Sequence, residues 1–337
     1  MGVGLDADAP VPVILAVDVE PDGRLLDPAR PLPWRGYEAL HAYLSALRPR
    51  IAQATGSPVH YSWFFRMDPQ IADVYGSPDW AARRYDSAVC AASAEGDEFG
   101  LHQHAFRWNT TSANWVCDHG NQAWVEHCVK MGFTAFAGHF ARPCPSFRFG
   151  DRWMNNETLH LVERLGARAD LTLEPGMPAV RALVAHESHT GWLPDYSEVP
   201  HGIYRPRRDD YRRRDSRRAD GIWMVPVTTG SVPPRGGALK RALLRLGRAG
   251  AGRPHVTSLN LAVSPPTFAR LVAQGLARGE STHLAMVVRV DAAVRPKYRA
   301  HMEANLDAFL RHAERTRFVF STVQEAIAET AAARPVS

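Results

Sequence analysis

Two strand-like segments of this chain end in polar pairs whose members must face the same way. The first, Val13-Ile-Leu-Ala-Val-Asp-Val-Glu20, is an apolar run that closes in Asp18 and Glu20. The second, Glu98-Phe-Gly-Leu-His-Gln-His-Ala-Phe-Arg-Trp108, carries His102 and His104. Residues at i and i+2 of a strand point to one side of a sheet, so each segment delivers two side chains to one place. Two imidazoles and a carboxylate can hold a Zn, Ni or Co type ion and leave a position open for water. Strand ends that deliver such groups suit a metal-assisted hydrolase on a parallel α/β scaffold.

The rest of the chain alternates in the same manner. Strands are expected at 11–18, 59–65, 99–102, 146–149, 167–171, 222–227, 283–290 and 317–321. Helices are expected at 37–55, 79–95, 122–138, 155–165, 237–246, 265–276, 297–316 and 322–332, with apolar residues at helical spacing. Gly166 stands where a C-cap belongs. Strands alternating with helices read as βα units with a parallel sheet. The expected fold is α/β, an irregular (β/α) barrel of seven or eight strands over 11–330, not fully closed. Catalytic groups should then sit at the C-terminal strand ends.

With 337 residues, 45% of them hydrophobic and 22% charged, the chain can bury a sizeable core. No apolar run reaches the length of a transmembrane helix, and residues 1–10 lack the features of a signal peptide. The four cysteines have no zinc-type spacing, so free thiols in a cytoplasmic protein are expected. From about 173 to 220 the periodicity dissolves into Pro, Gly, His and Arg, and an irregular insertion is expected. Its segment 205–218 holds eight arginines and three aspartates and reads as a solvated, partly self-neutralising surface, or else as an anion-binding loop. Without a recognition motif the arginines do not point to nucleic acid.

Read in order, the landmarks are Ala16-Val-Asp-Val-Glu20, Gly96-Asp-Glu-Phe-Gly-Leu-His-Gln-His104, Ser146-Phe-Arg-Phe-Gly150 and Gly166-Ala-Arg-Ala-Asp170, followed by Glu174-Pro-Gly176. This series resembles the polysaccharide deacetylase family, also called the fourth carbohydrate esterase family, in a divergent Leu-His-x-His form. The resemblance runs from about residue 12 to 176 and more loosely to 325. It implies a deacetylase-type barrel, a divalent metal ion (Zn first, with Ni, Co or Fe as alternatives), and hydrolysis of an amide C–N bond. The substrate would be an N-acyl carbohydrate or an intermediate of surface-polysaccharide or secondary-metabolite assembly.

The family roles transfer residue by residue. Asp18 would be the general base. The family's adjacent aspartate ligand is replaced by Val19, so either Glu20 or Asp18 binds the ion. His102 matches the first metal histidine. Phe106 occupies the place of the second, which leaves His104 to serve. Arg148 matches the arginine that orients the catalytic aspartate, and Asp170 matches an aspartate that tunes the general acid or pairs with Arg148. The late histidine is absent; that strand ends in Arg289 and Asp291, and an arginine cannot donate a proton at neutral pH, though it can stabilise an oxyanion. Trp34, Arg66, Asp68 and Trp108 leave strand ends and are candidates for contacting substrate. Two other functions stay open: an inactive barrel that binds a glycan or a partner protein, and a hydrolase of small amides or amidines.

Overall fold

In the computed structural model, residues 9–184, 187–233, 254–279 and 283–332 are described. Eight strands form one parallel sheet: β1 (Val11–Val19), β2 (Ser62–Arg66), β3 (Glu98–Gln103), β4 (Ser146–Phe149), β5 (Ala169–Asp170), β6 (Trp223–Met224), β7 (Leu284–Arg289) and β8 (Phe318–Phe320). Their order is β6-β5-β4-β3-β2-β1-β7, and β8 pairs with the N-terminal part of β1. The sheet curls into an incomplete barrel. Its edges β6 and β7 share no ladder and are bridged instead by isolated bonds, such as Thr228 N–H to the Ala285 carbonyl at 3.0 Å.

Alternation along the strands divides the apolar residues into two sets. Val13, Leu15, Val17, Trp63, Phe65, Leu101 and Phe147 pack outward beneath the helices. Ile14, Ala16, Phe64, Leu171, Ala285 and Val287 fill the concave side. The last helix, Val323–Ala332, adds Val323, Ala326 and Ile327 to the concave cluster and stops the barrel's N-terminal end. There its Gln324 N–H bonds the buried Glu98 carboxylate at 2.9 Å.

The helices follow their sequence signals. Arg35–Thr55 buries Leu40, Leu44 and Ile51 and ends at Gly56, whose φ of 77° lets its N–H reach the Ala52 carbonyl, a conformation glycine adopts without strain. Asn155 caps the helix Asn156–Arg164 through the Thr158 N–H. The helix expected at 79–95 breaks into Trp80–Arg84 and Asp86–Ala94. An additional helix, Pro69–Tyr75, precedes them, started by Asp68 as N-cap and by Pro69, a residue pair suited to a helix start. The helix expected at 237–246 lies outside the described residues.

The region expected to be irregular supplies two strands of a second, four-stranded sheet. A hairpin of Phe106–Asn109 and Asn114–Asp118 pairs, through its second strand, with Glu187–Leu193, which pairs in turn with Val180–Val184. The Arg-rich segment neutralises itself in part: Arg207 pairs with Asp209 at 2.7 Å and Arg212 with Asp210 at 2.9 Å, while Arg213 and Arg218 reach Glu198 and Glu163 outside it. No described helix is long and apolar enough to cross a membrane.

Close packing inside the barrel relies on Gly100. A Cβ there would lie 2.7 Å from the Ser146 carbonyl oxygen and 2.8 Å from the Phe64 ring. Overpacking of this kind costs about 1–3 kcal/mol. Gly100→Ala should lower the urea midpoint by a corresponding amount, and an unchanged midpoint would show that the concave face has room to spare.

Candidate active site at the C-terminal strand ends

Parallel register sets the site. Asp18 lies beside Arg289 of β7, and His102 lies between Arg66 of β2 and Arg148 of β4. Glu20 and His104 continue the same inward alternation just past their strands. The structure therefore gathers Asp18, Glu20, Arg66, His102, His104, Arg148 and Arg289 at one mouth of the barrel. All but Arg289 are buried.

Each carboxylate has its own guanidinium. Arg148 donates from Nε to Asp18 Oδ1 at 2.9 Å and from Nη1 to the Leu171 carbonyl at 2.8 Å. Arg148 thus reaches β5 through that carbonyl, while the Asp170 carboxylate accepts from the Thr172 N–H and hydroxyl. Arg289 Nε stands 2.8 Å from Glu20 Oε1, and Arg66 Nη1 is 3.8 Å from Glu20 Oε2. Burial alone would raise the Glu20 pKa; Arg289, the two imidazoles and Arg66 outweigh it and hold the carboxyl at about 2. Glu20 is a carboxylate at any physiological pH.

The histidines are oriented by groups around them. His102 Nδ1 lies 3.2 Å from the Arg148 carbonyl. A carbonyl only accepts, so the neutral ring carries its proton there and presents a lone pair at Nε2. The His104 ring stands edge-on to His102 at 4.7 Å. Its Nε2 is 3.9 Å from Glu20 Oε2, and its Nδ1 is 3.4 Å from Asp151 Oδ2. Burial drives its pKa well below the usual value, with Asp151 opposing, so the ring is neutral. Donor atoms of Glu20, His102 and His104 lie within 4.8 Å of one another. Buried, hydrogen-bond-free Glu20 Oε2 and two imidazoles make a donor set that fits a divalent ion.

The other candidates are distributed differently. Phe106 packs against the His104 ring at 5.3 Å, with Arg24 and Arg66 each 5.3 Å from its centroid. Trp34, 3% exposed, is packed with Tyr75 and Trp80. Asp68 is fully buried and committed to Arg66 Nε at 2.6 Å and to the Ile71 N–H. Trp108 lies outside the cluster, half-buried against Trp115 on the hairpin.

Three residues beside His104 escaped the sequence reading: Cys117, His119 and Asp151. The hairpin register sets Cys117 opposite Phe106. Cys117 Sγ is 3.2 Å from His119 Nε2 and 3.5 Å from Asp151 Oδ2, which also pairs with Arg24. Burial, with the Asp151 charge, pushes the thiol pKa well up. The available signal was Cys117-Asp-His119, another same-face i, i+2 pair. What hid Asp151 is its backbone: φ is 57° there and 51° at Arg152.

No family model matches the chain, and no curated protein matches it. Solved structures do. One is PuuE allantoinase, at 12% identity and a TM-score of 0.51, covering 98% of this chain and 94% of that one. Another is a probable polysaccharide deacetylase from Pseudomonas aeruginosa PAO1, at 13% identity and a TM-score of 0.51, again covering 98% and 94%. The chain shares the fold of these two structures, a curled parallel sheet in an incomplete (β/α) barrel.

Asp170 yields a test that needs no substrate. Burial raises its carboxyl to about 7, against the Thr172 hydrogen bonds and the charge of Arg148. An unfolded aspartate titrates near about 3.9, so between about pH 4 and about pH 7 the folded chain keeps a proton that the unfolded chain releases. Its stabilising contribution is complete below that window and is lost as pH rises through it, by about 1.4 kcal/mol per unit. Urea unfolding at a series of pH values should show this slope in the wild type, and Asp170→Asn should flatten it. An equal slope in the variant would mean that another group is responsible.

Proposed function

We propose that this protein is a metal-dependent, deacetylase-like hydrolase of an amide-type C–N bond, acting on an N-acyl carbohydrate or a related biosynthetic intermediate. The observation that carries the reading is the juxtaposition of Arg148-bound Asp18 with Glu20, His102 and His104, all at the C-terminal ends of parallel strands. Glu20, His102 and His104 would hold the ion. Such an ion supplies Lewis acidity, acidifying water and polarising a carbonyl.

The chain's own residues account for the remaining work. Asp18 takes the proton of the attacking water as general base, a contribution worth roughly two to four orders of magnitude. Arg148 fixes the direction of that carboxylate. Arg289, at the place where a late histidine would act as general acid, holds Glu20 and offers positive charge to a developing oxyanion. Trp108 supplies an aromatic face outside the mouth. The printed names of the structural neighbours, a deacetylase and an allantoinase, belong to the same class of C–N chemistry.

A second reading, a barrel that binds its ligand without turning it over, draws on one observation. Glu20 is contacted by two guanidiniums, which compete with a metal for its charge. Paired variants separate the readings. Asp18→Asn should retain the ion by elemental analysis and lose at least a hundredfold in turnover on a responsive N-acyl sugar or small amide; Glu20→Gln should lose the ion. Wild-type turnover in Asp18→Asn would remove it as the base, and a wild-type protein that takes up no ion would favour the binding barrel.

A further inference from the structure

We infer that His104, Cys117 and Asp151, with His119 against the thiol, form a second cation site, of zinc type, beside the one described above. It goes beyond that reading and shares only His104 with it; a neutral imidazole has a single lone pair, so the ring serves one site at a time unless it gives up its proton and bridges both ions. The His104 ring is turned so that its two nitrogens face different groups: Nε2 toward Glu20 and Nδ1 toward Asp151.

Distances carry the assignment. Zinc binds thiolate at about 2.3 Å and imidazole or carboxylate at about 2.0 Å, so a tetrahedral site has S···N and S···O edges of about 3.5 Å and N···O edges of about 3.3 Å. Here Cys117 Sγ is 3.5 Å from Asp151 Oδ2, Cys117 Sγ is 3.2 Å from His119 Nε2, and His104 Nδ1 is 3.4 Å from Asp151 Oδ2. Donor atoms of His104, Cys117 and Asp151 lie within 4.8 Å of one another. The edge between Glu20 and His104, 3.9 Å, is longer than any of these three. One thiolate, one imidazole and one carboxylate supply three of the four tetrahedral positions and leave the fourth open, and the sulfur selects zinc or cobalt over magnesium or calcium.

Two further observations point the same way. His104 Nδ1 is buried and makes no directed hydrogen bond, although a carboxylate oxygen stands 3.4 Å away. Asp151 is held in left-handed backbone by a turn that begins at Gly150, where a Cβ would fall 2.0 Å from His104 Cε1. Non-glycine residues at positive φ cost about 1–3 kcal/mol and cluster at functional sites. That turn brings the Asp151 carboxylate against the His104 ring. Arg24 also pairs with Asp151 Oδ2 and is the cation with which a metal would have to share this carboxylate.

Cobalt reports on the site without any substrate. Full-length protein stripped with chelator and reloaded with Co²⁺ should show thiolate-to-cobalt charge-transfer absorption in the near ultraviolet. Cys117→Ser should abolish that band, while Glu20→Gln and His102→Ala should retain it, because neither residue belongs to this set. X-ray absorption on the zinc-loaded wild type, which needs no variant to fold, should find one sulfur at about 2.3 Å per sulfur-bound ion. A cobalt protein without the band, a band that survives Cys117→Ser, or zinc with only nitrogen and oxygen neighbours would each overturn the inference. Loss of ion at Glu20 with the band retained would support both sites. Loss of the band alone in Cys117→Ser, with turnover unchanged in Glu20→Gln, would leave this site standing and refute the one at Glu20.

Discussion

Two carboxylates, Asp18 and Glu20, lie each against its own arginine in a place where water hardly reaches, and the mouth of the barrel is arranged around that fact. An unpaired buried carboxylate would cost several kcal/mol and would take up a proton instead. Arg289 prevents this at Glu20, and Arg148 gives Asp18 a hydrogen-bonded guanidinium of its own. Both arginines lie on strands of the same sheet, Arg148 on β4 and Arg289 at the end of β7, flanking the acids from opposite directions along the curl. Parallel register brings them level. A one-residue slip would turn these side chains to the outer, apolar face. The charge pairing therefore adds a strong constraint on register to the one already imposed by the apolar alternation.

Curvature decides what can be reactive. Concave positions midway along the strands are small or apolar, as at Ala16, Gly100 and Ala169, and the polar ones gather at either end. At the N-terminal end Glu98 and Gln324 close the barrel with hydrogen bonds. At the C-terminal end no helix among the described residues covers the strands; the hairpin of Phe106–Asn109 and Asn114–Asp118 and the Gly150–Arg152 turn border the mouth instead. The barrel is open where β6 and β7 fail to pair, and Arg289, the most exposed of the clustered charges, stands at that seam.

The eight strands of the main sheet were legible because each is an apolar run bounded by turn-forming residues, and the strand-end acids and histidines because a period of two fixes their face. Less was legible where a partner is set by tertiary structure. The strand Glu187–Leu193 pairs with the hairpin and Val180–Val184 pairs with Glu187–Leu193, and neither short segment carried a clear period-two signal. Trp34 and Asp68 looked like exposed groups at strand ends; the packing with Tyr75 and Trp80, and the helix start at Pro69, claim them for the interior. Asp151 could not be placed at all from sequence, since its reach depends on a positive φ that no local residue preference announces.

His104 is where these constraints meet. Its ring is confined by Phe106 on one face and by the missing Cβ of Gly150 on another, with carboxylates near both nitrogens. Neutral imidazole has one donor and one acceptor nitrogen. One carboxylate can therefore accept its proton while the other faces a lone pair, an unfavourable contact unless something positive lies between. Arg66 and Arg289 supply that charge on the Glu20 side, and Arg24 supplies it on the Asp151 side. The same geometry gives Phe106 its place in the cluster. With His104 already directed at Glu20, an apolar ring that supports two guanidiniums and fixes the imidazole's tilt serves the cluster better than a third imidazole in contact with Arg24 and Arg66.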